Sequence, residues 1–148
     1  MTTINSIPTE RAAIVATVDP ANTGAGATDT DEVDHSQWNT TQWTLMLGTM
    51  ASTSTVDFKL QSASSSGGSF SDITGKAITQ LTEAGSDDNK QVVINLRADE
   101  LTSGDRYVKG VVTVAAAASW ASVLTLGFDA RHAPASDNDL SSVDEIVS

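Results

Sequence analysis

Apolar and polar side chains alternate at a period of two in several short stretches of this chain, most cleanly over residues 55–61. There Val56, Phe58 and Leu60 fall on one side and Thr55, Asp57, Lys59 and Gln61 on the other, the pattern of a half-buried antiparallel strand. Residues 11–18 set Ala12, Ile14, Ala16 and Val18 against Ala13, Val15 and Thr17, and Asp19-Pro20 is expected to end that strand. Residues 21–35, rich in Gly, Thr and Asp, offer no face that could pack and read as a loop. Residues 38–51 carry Trp43, Leu45 and Leu47 on one side and Met46 and Met50 on the other, apolar enough for a central strand. Gly48 within it signals a bulge or a close approach of backbone.

After a turn at 52–54, the strand at 55–62 is expected to close a hairpin with its predecessor. A Ser/Gly turn at 63–69 leads into 70–82, which reads as two short strands or one bulged strand. Residues 90–97 point Val92, Ile94 and Leu96 inward, and 98–101 are long enough for one helical turn. Residues 106–116 place Val108, Gly110, Val112 and Val114 on one face and Tyr107, Val111 and Thr113 on the other. Residues 120–130 put Leu124, Leu126 and Phe128 together and are expected to form a last hairpin with 106–116. The sum is an all-β chain, an antiparallel β-sandwich or barrel of seven to nine strands. Residues 1–10 read as an irregular N-terminal arm with Ile4 and Ile7 as its large apolar groups and Pro8 holding an extended path. Residues 11–132 form the body and 133–148 a C-terminal tail, where Leu140, Val143 and Ile146 are spaced for an amphipathic turn or a strap along a neighbour.

Composition narrows the picture. At 148 residues one domain can bury roughly 70% of its unfolded surface, and the absence of cysteine leaves stability to packing and backbone pairing. The first ten residues lack the basic start and apolar run of a signal peptide, and no apolar stretch reaches membrane-spanning length, so a soluble, non-secretory protein is expected. Eight Lys and Arg stand against 19 Asp and Glu, a formal charge of −11 that would repel DNA, RNA and anionic lipid.

Catalytic chemistry is not indicated. Gly68 and Gly75-Lys76 lack the spacing and the following hydroxyl of a phosphate-binding loop. Asp29, Asp31, Glu32 and Asp34 lack the Gly and distal Glu of a calcium-binding hand and read as a solvated acidic loop. His35 and His132 stand in no nucleophile elbow and read as surface histidines. No enzyme activity, cofactor or metal is therefore expected. Of the three indoles, Trp43 is in phase with the core, whereas Trp38 and Trp120 begin strands beside polar loops. Those two fit core or rim packing, a protein interface or a sugar-stacking site.

Three runs, Trp-Thr-Leu-Met-Leu-Gly-Thr-Met (43–50), Val-Asp-Phe-Lys-Leu-Gln-Ser-Ala (56–63) and Gly-Ser-Phe-Ser-Asp-Ile-Thr-Gly-Lys-Ala-Ile-Thr-Gln-Leu-Thr (68–82), together resemble small structural proteins encoded near the capsid genes of tailed bacteriophages. The closing Asp-Ala-Arg-His-Ala-Pro-Ala-Ser-Asp (129–137) is similar to such proteins too. The resemblance covers about residues 38–148 and implies a jelly-roll-like capsid decoration, or cement, protein. It implies a homo-oligomer, a trimer by preference, on the capsid exterior of a virion assembled in the host bacterial cytoplasm, with the major capsid protein as partner. On that expectation the partner contacts are Ile4, Ile7, Arg11, Trp38, Trp120, Arg131, His132, Leu140, Val143 and Ile146. The alternative is a glycan-binding head or tail appendage that stacks host sugars on Trp38 or Trp120.

Overall fold

The computed structural model describes residues 5–132 and 139–147. Among these, ten strands form two antiparallel sheets packed face to face as a β-sandwich. They are β1 (Ala12–Thr23), β2 (Gly26–Asp29), β3 (Val33–Asp34), β4 (Trp38–Met50), β5 (Thr55–Ala63), β6 (Ser71–Ala77), β7 (Leu81–Thr82), β8 (Gln91–Arg97), β9 (Tyr107–Ala115) and β10 (Ser119–Ala130). Two of them, β3 and β7, are only two residues long. One sheet has the order β1-β10-β4-β8; the other runs β2-β9-β5-β6, with β3 added on β9 and β7 on β5. With the two shortest strands set aside, the first long strand pairs with the last, the second with the seventh, the third with the sixth and the fourth with the fifth. This is one long hairpin, rolled until β10 also meets β4 and β9 also meets β5.

Neither expected hairpin forms. β4 and β5 lie in opposite sheets, as do β9 and β10, so the short turns after Met50 and after Ala115 carry the chain across the sandwich. Each turn holds a non-glycine residue in the left-handed region, Thr53 at φ 71° and Ala116 at φ 65°. The two corners are tied together. Ala51 N donates to Ala118 O at 2.9 Å, and the buried Ser54 hydroxyl donates to Ala117 O at 2.9 Å while sharing a 2.6 Å bond with the buried Ser119 hydroxyl. A short polar turn permits a hairpin or a crossover equally, and the partner strands decide which.

Pro20 does not end β1. The strand continues to Thr23 because it lies at the sheet edge and is bulged between Val18 and Ala21, where a missing N–H costs no ladder bond. The stretch expected to be a loop, 21–35, holds β2 and β3 and buries Val33, Asp34 and His35. Residues 70–82 form the two short strands β6 and β7, and residues 98–100 a single 3-10 turn. Near the N-terminus Pro8–Glu10 is likewise a 3-10 turn rather than extended, since proline's fixed φ suits a first helical position.

The core is built as the alternation predicts from Val56, Phe58 and Leu60, from Trp43, Leu45 and Leu47, from Ile94 and Leu96, and from Val108, Val112 and Val114. The exception is Met50, expected beside Met46, which is 4% exposed and joins the core because the register shift after Leu47 changes the phase of β4. β10 is different. It turns Ala121, Val123 and Thr125 inward and leaves Trp120 and Leu124 exposed. Trp38 fills the space above Gly127, where an added Cβ would sit 2.6–2.9 Å from the indole ring.

Candidate protein interface

The cross-strand register places one row of side chains on the outer surface of the β1-β10-β4-β8 sheet. Residues that pair directly share a face, so Leu124 lies beside Thr44 and Thr17, Thr44 beside Val93, Met46 beside Ser122 and Gln91, and Leu126 beside Ile14 and Gln42. Trp120, Met46, Leu124 and Val93 are between 37% and 49% exposed there, a large share for side chains of this size. Gly48 makes room for the indole: a Cβ at that position would come within 2.8 Å of the Trp120 Cβ, and β10 shifts register opposite it, between Ser119 and Ala121. Both readings of Gly48, bulge and close approach, apply at this one point. At the outward positions that pair across the ladders of these four strands, Arg97 near one end is the one charged side chain among the described residues. It pairs with Asp99 at 3.0 Å, Asp129 lies 3.4 Å from the outward Thr40 hydroxyl, and Asp19 is exposed in the β1 bulge.

The opposite sheet looks outward very differently. Lys59 pairs with Asp72 at 2.9 Å and Lys109 with Asp29 at 2.6 Å, Gln61 donates to Asp72 at 2.7 Å, and Gln80 donates to Asp57 at 2.7 Å. One face of the sandwich is thus an ionic lattice and the other a plane of apolar and uncharged polar side chains, with charges confined to its Arg97 end and the β1 bulge.

The acidic run after β2 is not a free solvated loop. Asp31 accepts from Thr17 N, Glu32 from Ser66 Oγ and Gly67 N, and Asp34 from both Arg106 Nε and Nη2 and from Ser36 N. Each carboxylate fastens the segment to a different neighbour. No group of three or more His, Asp or Glu side chains among the described residues is arranged to hold a metal ion. Burial alone would raise the Asp34 pKa, but hydrogen bonds from Arg106 and Ser36 outweigh it and hold the carboxyl at about 2. His35 is only 2% exposed, which corrects its reading as a surface histidine. Trp43 Nε1 donates to Thr41 Oγ1 at 2.8 Å, and that hydroxyl lies 3.2 Å from His35 Nε2. Burial first, and then the nearby Arg131 charge, push the imidazole down to about 4 despite the opposing pull of Asp34.

Two clefts flank the outer plane of the β1-β10-β4-β8 sheet. One, of about 430 Å³, lies at the Arg97 end among Gln42, Asn95 and Phe128, with Lys76 bonded across it to Glu100 at 3.0 Å and to Asn95 O at 2.8 Å. The other, of about 610 Å³, runs between β1 and β2 and is lined by Asp19, Asp29, Asp31 and Leu140.

The residues singled out by sequence do not form one surface. Ile4 lies outside the described residues. Ile7 is 40% exposed on the N-terminal turn, and Arg11 folds back onto Ser6 Oγ and O at 2.8 Å. Trp38 is 3% exposed and belongs to the core, so it presents no ring to a partner. Arg131 and His132 are exposed at the end of β10, where Arg131 N donates to Gln37 O. Leu140 and Val143 form a turn closed by Val143 N donating to Leu140 O, and the tail straps this chain's own β1. There Ile14 N donates to Asp139 Oδ1 at 2.8 Å, and Leu140 N donates to Ile14 O at 2.9 Å. Ile146 is 48% exposed beyond that contact. Trp120 alone of the set stands on the outer plane of the β1-β10-β4-β8 sheet. Met46, Val93 and Leu124, its companions, were not singled out; the available signal was that β10 has two half-apolar phases, only one of which can face the core.

No helix among the described residues is long and apolar enough to cross a membrane. Compared with known proteins, the chain matches no family model and no curated protein sequence.

Proposed function

We propose that this is a structural virion protein that decorates and stabilises a phage capsid, binding the outer surface of the major capsid protein lattice as a homo-oligomer. The observation that carries this reading is the two-faced sandwich: a plane whose uncharged centre exposes Trp120, Met46, Leu124 and Val93 and suits protein contact, backed by an ion-paired opposite sheet. The rolled-hairpin strand pairing supports a jelly-roll topology, an architecture used in capsid and lectin domains. The net charge of −11 suits the outside of a particle rather than contact with packaged DNA. The motif resemblance favours a trimer, and many weakly held copies on a repeating lattice would give durable attachment.

The test is reconstitution. Purified protein is mixed with capsids lacking it, and occupancy is read by electron microscopy and co-sedimentation; regular density on the head lattice is expected, and its absence at saturating protein overturns the proposal. A second reading, a glycan-binding appendage, draws on the half-exposed Trp120 ring. It requires binding on a glycan array that disappears in Trp120→Ala.

A further inference from the structure

We infer that the outer plane of the β1-β10-β4-β8 sheet is where copies of this chain meet one another. The inference rests on the proposed reading of that plane as a protein-docking surface and names its occupant.

The charge distribution selects the occupant. Each copy carries −11, so bringing two together sets like charge against like charge wherever carboxylates line the contact. An unrelated partner of an acidic protein gains most by presenting cations to acidic surface. A second copy has few cations to present, since the chain holds 8 Lys and Arg against 19 acids, and many of these are already engaged within the chain. Self-contact is therefore least opposed on a surface poor in carboxylates, and the middle of this sheet, away from Asp19 in the β1 bulge and from Asp99 and Asp129 at the Arg97 end, is that surface. Strands about 4.8 Å apart, crossed over the roughly 27 Å from Trp120 to Phe128, give on the order of 500 Å² per copy and 1,000 Å² in all, the lower bound for a specific interface. Trp120, seated over Gly48, supplies the aromatic anchor, with Met46, Leu124 and Val93 around it.

The chain contains its own reporter. Of its three tryptophans, Trp43 and Trp38 are 0% and 3% exposed within a single copy, so quenching of fluorescence by acrylamide reads Trp120. A concentration series is followed by sedimentation for mass and by quenching for the indole. The expected result is a multiple of the chain mass at high concentration with Trp120 protected, both signals lost together on dilution. Association should tighten as salt screens the net charge. Leu124→Asp places a carboxylate on the plane at a solvent-facing position and should weaken association roughly 100-fold with an unchanged circular dichroism spectrum. Asp57→Asn on the opposite face should not weaken it.

A single-copy mass at concentrations on the order of 100 µM in about 0.5 M salt overturns the inference. So does an oligomer whose Trp120 stays open to quencher, or one that Leu124→Asp leaves intact. Capsid occupancy is measured separately on the same samples. Occupancy by a strictly single-copy protein, lost in Leu124→Asp, assigns the plane to the shell and refutes self-contact while the decorating role stands. Protection of Trp120 in a single-copy protein by added oligosaccharide assigns it to sugar and refutes self-contact as well. Self-association through the plane with empty capsids leaves the inference standing and removes the decorating role.

Discussion

At His35 a single side chain sets how the fold meets acid. The imidazole is neutral inside the sandwich with a pKa of about 4, whereas in the unfolded chain it titrates near the ordinary 6.5. Between those values the unfolded state binds the extra proton, so His35 contributes stability in full above pH 6.5 and loses it as pH falls toward 4, a change of about 3 kcal/mol. Urea unfolding at a series of pH values should show that decline, and His35→Gln should flatten it. A further loss below pH 4 belongs to Asp34, whose carboxyl is held at about 2 and whose contribution is lost as pH falls through that value. Sterics act as locally at Gly127. A methyl there would collide with the buried Trp38 ring, so Gly127→Ala should cost about 1–3 kcal/mol, read as a lower urea midpoint with an unchanged slope. Neither effect could be read from composition. His35 reads in the chain as one of two surface histidines, and Trp38 fits core or rim packing, an interface and a sugar site alike, because burial depends on what the rest of the chain places over them.

Among the elements, β1 is the longest of the strands that end a sheet, and its edge needs the most management. It is long, lies at the end of its sheet and carries two register shifts; its free edge is met by the tail at Ile14 and by Asp31 at Thr17. Truncation after residue 132 should leave the Ile14 amide without its acceptor and speed its hydrogen exchange, with amides in β4 and β9 unaffected. Unchanged exchange at Ile14 would show that the strap does not hold in solution. Period-two alternation located most of these elements, since β5, β8 and β9 face the core on the side their apolar residues occupy. It failed at β1, where Pro20 is tolerated at a bulged edge, and at 21–35, where the carboxylates of Asp31, Glu32 and Asp34 hold an apolar-poor segment in place through partners distant in sequence.

For the whole molecule, net charge opposes compaction. Excess acid is self-repelling, and salt bridges such as Lys59–Asp72 are exposed and contribute little, so screening should relieve more repulsion than it removes attraction. The melting temperature should rise as salt increases from about 10 mM to 0.5 M; a fall would mean that the ion pairs of the charged sheet matter more than the overall field.

Two-layered β architecture was legible from the chain alone, because alternating side chains can only be satisfied by burying one face of each strand. Strand partners were not. The turns after Met50 and after Ala115 could as well have closed hairpins, and only the assembled sandwich sends them across to the opposite sheet. The same assembly decided that β10 gives its smaller residues to the core and its larger ones, Trp120 and Leu124, to the outside. Two half-apolar phases of one strand are locally equivalent, and the space left by Trp43, Trp38 and the facing sheet determines which of them fits.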